Sequence, residues 1–125
     1  MYKEKIEELR AFMESSKEKI GSKIDELVKD GRNDDAKAFR AALNIYDVFV
    51  ATIGAFDKKA KGDETVFITA FKTFAANIPA KWRAALEEAK KHNDAGKVLI
   101  EEGKLNSSDA IIAKFDELFA QEGER

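Results

Sequence analysis

Apolar residues recur along this chain at spacings of three and four, the period of an amphipathic helix. Tyr2, Ile6, Leu9, Met13, Ile20, Ile24 and Leu27 fall on one narrow stripe. The stripe predicts a first helix over residues 2–29, about 42 Å long at a rise of 1.5 Å per residue. Gly31 is expected to end it, because glycine enters the left-handed conformation without a Cβ penalty. Ser16 interrupts the stripe between Met13 and Ile20 and leaves a gap that a bulky ring from another helix, such as Trp82, is expected to fill.

A second helix follows the linker "DGRNDD", with Asn33 or Asp34 as its cap. Phe39, Leu43, Tyr46, Phe49, Val50, Ile53 and Phe56 share a wide apolar arc, opposite Lys37, Arg40, Asn44, Asp47 and Lys58. Ala51, Gly54 and Ala55 fall on the polar side. The lysines of "DKKAKGD" suit the negative end of the helix dipole, and Gly62 terminates it. Two long helices joined by so short a turn are expected to lie antiparallel.

Asp63 can cap a third helix in which Phe67, Phe71, Phe74 and Ile78 step by four, three and four along one seam. Pro79 has no amide hydrogen and disfavours helical geometry at Ile78, so the pattern predicts a corner at 77–79 and a new helix from about residue 79 or 80. Trp82, Ala85, Leu86, Ala89 and Ile100 form that helix's inner face, and "HNDAG" predicts a kink or short break near residues 92–96. Gly103 is expected to end this element. Asn106, Ser107 or Ser108 then caps a last helix with Ile111, Ile112, Phe115, Leu118 and Phe119 inside, and the tail "QEGER" is expected to fray. No repeat or alternating strand pattern occurs, and "KVLIEE" reads as helical. The fold expected is all-α: a single-domain antiparallel bundle of four to five helices.

Composition agrees with a packed helical domain. In 125 residues, 44% are apolar, enough for one core, while 37% are charged, well above the ordinary quarter. The net charge of −2 comes from interleaved acids and bases without a concentrated basic face, which argues against nucleic-acid binding. The N-terminus lacks the apolar stretch of a signal peptide, and no apolar run reaches the length needed to span a bilayer. With no cysteine, disulfides and thiolate chemistry are excluded. A cytoplasmic location without a membrane partner is expected, and the sequon "NSS" at Asn106 is then unused.

Candidate chemistry is sparse. Glu88 and His92, four apart, can share one helix face, but a di-iron bundle needs four carboxylates and two histidines, and this chain has one His beside Lys90 and Lys91. "DGRNDD" fails as a calcium loop: Arg32 takes the third position, Asp35 replaces the turn glycine, and Ala41 stands where a bidentate Glu is required. "SKEK" from Ser16 to Lys19 matches S-x-x-K, yet no accompanying serine-enzyme motif follows, and neither phosphate-binding nor dinucleotide fingerprints occur. Glu7/Glu8, Glu87/Glu88 and Glu101/Glu102 are adjacent pairs, which diverge on a helix and form solvated faces. Basic clusters at Lys58, Lys59 and Lys61 and at Lys81, Arg83, Lys90 and Lys91 are offset by acids or answer helix ends. A helix-turn-helix at Ile78–Pro79 would present alanines and paired glutamates to a groove.

What remains is a non-enzymatic protein–protein interaction module without metal or cofactor, binding a protein partner or a second copy of itself. Phe12, at the edge of the first stripe, Val48, outside the second helix's main arc, and Trp82 are its candidate contact residues. The alternative is a binding or sensing protein for a small apolar ligand, with Ser16, Phe67, Phe71 and Phe74 around the ligand.

Overall fold

A computed structural model describes residues 2–119 as four long helices that pack against one another: α1 (Tyr2–Lys29), α2 (Asn33–Ala60), α3 (Glu64–Lys91) and α4 (Ala95–Phe119). Among the described residues there is no strand. The antiparallel all-α bundle is therefore as the periodicity predicts, with four helices where four to five were expected. The expected fraying of "QEGER" lies outside the described residues.

The turns explain the helix lengths. After α1, Gly31 adopts φ 73°. The Arg32 amide donates to the Leu27 carbonyl (2.8 Å) and the Gly31 amide to Val28 (3.1 Å), which is a Schellman motif. The α3–α4 turn repeats this scheme. There Asn93 takes φ 55°, the Asp94 amide donates to Ala89 (3.0 Å), and the Asn93 amide donates to Lys90 (3.1 Å). The break expected at 92–96 is thus a full reversal between helices. Asp63 caps α3, accepting from the Thr65 and Val66 amides at 3.0 and 3.3 Å. The start of α2 differs from expectation: Asn33 is already helical, and the cap position, Arg32, makes no side-chain capping bond. Its guanidinium instead pairs with Asp35 at 2.6 Å.

Two expected breaks are absent because burial overrides the local signal. Pro79 lies inside α3, which runs on to Lys91. The ring is fully buried, so its packing offsets the missing amide bond. Just before it, the Asn77 side chain donates to the Thr73 carbonyl (2.9 Å) and Thr73 Oγ1 to Thr69 (3.0 Å), adding polar contacts to the turns that lead into the proline. Likewise α4 passes through Gly103 and the Asn106–Ser108 stretch without interruption. At Gly103 a Cβ would meet the Ala38 carbonyl oxygen at 3.0 Å and the Ala42 Cβ at 3.7 Å. Glycine suits the close approach of α2, because any larger side chain there would press on the α2 backbone. Ser107 Oγ donates across that approach to the Ala42 carbonyl (3.1 Å), and Ser108 Oγ to Leu105 within the helix (3.0 Å), so neither serine is a cap.

The chain thus forms two helical hairpins, α1–α2 and α3–α4. Their second helices, α2 and α4, run parallel and share the most extensive interface, with α1 and α3 on either flank. As the central helix, α2 buries Ala36, Ala38, Ala42 and Ile45 in addition to Tyr46, Phe49 and Ile53. It is also long and apolar enough by composition to cross a membrane, contrary to the expectation that no run approaches that length. In the bundle part of that apolar surface packs against three neighbouring helices, and part of it, including Val48, Ala51 and Ala55, faces solvent.

Candidate functional site

The predicted seam exists and is packed. Phe67 and Phe71 are fully buried, and Phe71 stacks on Phe115 with centroids 4.0 Å apart. Phe115 stacks in turn on Phe119 at 4.6 Å. Edge contacts extend the series from Tyr2 to Phe67 (5.6 Å) and from Phe49 to Phe74 (5.1 Å). Such pairs each add about 0.5–1.5 kcal/mol beyond the area they bury. At one margin Tyr2 donates a hydrogen bond to Asp57 (3.1 Å). Burial, then this carboxylate and the neighbouring acids, push its phenol up to about 12.

Two clefts flank the α2–α4 pair, and neither is lined by Phe67, Phe71 or Ser16. The first, of about 350 Å³, opens between α1 and α4 over the small residues Ala38, Ala42 and Gly103. The second is a groove of about 650 Å³ between α2 and α3, with Phe56 on one side and Val66, Ala70, Phe74 and Ile78 on the other. Those four α3 residues step by four and so share one side of the helix. Of the residues expected around an apolar ligand, only Phe74 reaches a cleft. Trp82, half-buried, packs against the main core from α3. Its helix and α1, which carries Ser16, lie on opposite flanks of the α2–α4 pair.

The groove belongs to a wider face without charge. No charged residue occurs between Asp47 and Asp57, and Lys72 alone interrupts the stretch between Glu64 and Lys81. In a chain that is 37% charged, these gaps leave solvent-facing surface without ionic groups. Val48 and Val66 are each 44% exposed. Ala51 and Ala55 on α2, and Thr65, Thr69, Thr73 and Ala76 on α3, are exposed beside them. Lys59 lines the end of the groove. Lys58, Lys59 and Lys61 have no ion pair among the described residues. The two gaps in charge and the outward placement of Val48, Ala51 and Ala55 were visible in the sequence; that α2 and α3 set their uncharged sides next to each other was not.

The chain has no match among protein-family models, curated proteins or solved structures.

Of the expected contact residues, Val48 joins this face. Its companions Thr52 and Phe56 follow at intervals of four along α2, toward the groove. Phe12 lies on α1, half-buried against the main core, and Trp82 is set into α3, so the three do not converge. Other polar groups make no second constellation. His92 and Glu88 pair at 2.9 Å at the exposed end of α3. Among the described residues no group of three His, Cys, Asp or Glu could hold a metal ion. Glu101 is buried; its Oε2 accepts from Lys104 Nζ (3.3 Å), while Oε1 has no partner. Lys17 bridges α1 to Asp47 on α2 at 2.7 Å, and that hydrogen bond holds its ammonium above the usual lysine range.

Proposed function

We propose that this protein is a non-enzymatic docking module that takes an amphipathic helix of a partner protein along its α2–α3 face. The observation that carries the reading is the uncharged exposed strip, centred on a groove with apolar residues at every fourth position of α3. A helix laid into a groove is held by anchors with this kind of spacing. A contiguous apolar surface on an otherwise highly charged protein is the usual mark of an interaction site. Charge selects the partner's chemistry: the lysines at the groove end favour a helix with acidic residues at the corresponding end.

The test is a photo-crosslinking residue at Thr69 of the full chain, expressed in its native host, with the crosslinked peptide identified by mass spectrometry. A synthetic peptide of the captured segment is then titrated against the protein by fluorescence anisotropy. The expected segment is amphipathic with an acidic flank, and Val66→Glu or Ala70→Glu weakens its binding at least tenfold. Val28→Glu, at an exposed apolar position on the last turn of α1, leaves binding unchanged. Crosslinks solely to a second copy of the chain, or peptide binding indifferent to Val66→Glu and Ala70→Glu, would overturn the reading.

A further inference from the structure

The cleft between α1 and α4 is separate from the docking face and differs from it in chemistry. Its floor is made of small residues because α2 and α4 approach closely at Ala38, Ala42 and Gly103. The side chains that hold the backbones together there are too short to fill the space toward α1. Ile20, Phe39 and Leu99 wall the resulting hollow. Its volume of about 350 Å³ lies within the range of small-molecule sites.

Three polar groups line this space, and none is engaged elsewhere among the described residues. Tyr46 is only 4% exposed and lines the cleft. Its hydroxyl makes no hydrogen bond with the described residues. Nor is that oxygen sealed in the interior, because Glu101 Oε1 is the sole fully buried polar side-chain atom without a partner there. Tyr46 is thus a buried lining residue of the cleft whose hydroxyl is unbonded and not fully enclosed. At the exposed rim stand the Glu102 carboxylate, without an ion pair, and the Asn106 amide, without a hydrogen bond. Ser107, the other polar residue there, is already committed to the Ala42 carbonyl.

From this arrangement we infer that the α1–α2–α4 cleft binds a small arylalkylamine. Its apolar ring lies against Phe39 and Ile20, a hydrogen-bonding group meets the Tyr46 hydroxyl, and its ammonium lies at the mouth near Glu102. The Tyr46 hydroxyl gives orientation, and the lone carboxylate selects a cation over an anion of the same shape.

Tyramine, phenethylamine and 3-(4-hydroxyphenyl)propanoate, titrated into the full chain by calorimetry, test the inference. Tyramine is expected to bind saturably at one site, phenethylamine more weakly, and the carboxylate analogue not detectably. Tyr46→Phe is expected to weaken tyramine binding by about threefold to tenfold, the worth of one hydrogen bond. Glu102→Gln, on the solvent-exposed rim, is expected to weaken it by up to about fivefold, and Ala42→Leu, which fills the floor, to abolish it. Glu102→Gln leaves the fold intact and so decides the matter even if Ala42→Leu is unstable. Failure of both amines to bind, equal binding of the carboxylate analogue, or tyramine binding undiminished in Glu102→Gln and Tyr46→Phe each overturns the inference.

Discussion

The two ends of the bundle are held by different means. At the end where α1 begins and α4 finishes, eight rings touch in one series: Tyr2, Phe67, Phe119, Phe115, Phe71, Phe49, Phe74 and Phe56. All four helices contribute, so these rings join the two hairpins. At the other end, Ile24, Leu27 and Ala36 form a separate small cluster with Ile20, Phe39 and Leu43. Every one of those residues belongs to α1 or α2. At the level of this second cluster α2 and α4 meet through Ala38, Ala42, Gly103 and Ser107, where small side chains bring backbones together. Bulky rings fill space and bind hairpin to hairpin, whereas small residues permit closeness and leave a hollow beside them. The α1–α4 cleft accordingly lies away from the rings expected to surround a ligand.

The largest effect separating the two ends should come from the ring series. Phe71→Ala is expected to cost about 3–5 kcal/mol, because the stacked partner Phe115 cannot close the cavity left behind. Denaturant titration checks this, and a variant as stable as the parent would show that the rings do not join the hairpins. The crossing comes next. Gly103→Val is expected to cost about 1–3 kcal/mol, since its side chain is forced against the Ala38 carbonyl. Gly21, also helical, faces open space, with no atom within 4 Å of where a Cβ would stand. Gly21→Ala is therefore expected to gain about 0.5–1 kcal/mol from helix propensity. Equal responses at the two glycines would contradict the close approach of α2 and α4.

The smallest effect is alkaline. The Tyr2 phenol is raised to about 12 by burial first and by Asp57 second, while in the unfolded chain it titrates near its ordinary value of about 10. Between those values the unfolded chain binds fewer protons than the folded one, so stability falls as pH rises through this window. Below it the contribution is fully present. Thermal melts across the window should show this loss in the parent, reduced in Tyr2→Phe; an identical slope in both would place the titration elsewhere.

Most helix ends were legible because their causes are local. Gly31 needs a left-handed backbone, Asp63 supplies a carboxylate to the next helix's amides, and "HNDAG" contains both the Asn and the Asp that the second Schellman turn uses. Pro79, Gly103 and Ser107 misled for a shared reason: each is a local stop signal whose role is set by a neighbouring helix. Both the corner at 77–79 and the stop at Gly103 came from reading such residues without their partners. The packed state of Phe67 and Phe71 was readable from their spacing. The burial of Ala38, Ala42 and Ile45 was not, because nothing in a single helix reveals that α2 is surrounded on three sides. The same limit hid the first cleft, whose walls come from three helices distant in sequence.

Native-state amide hydrogen exchange on the full chain tests most directly whether the rings hold the hairpins together. The slowest amides are expected in residues 45–53, 67–75 and 111–119, with faster exchange over 33–42 and 95–105. If the slowest amides instead lie in 20–43 and 89–105, or if protection is uniform along the bundle, the ring series is not what joins the two hairpins.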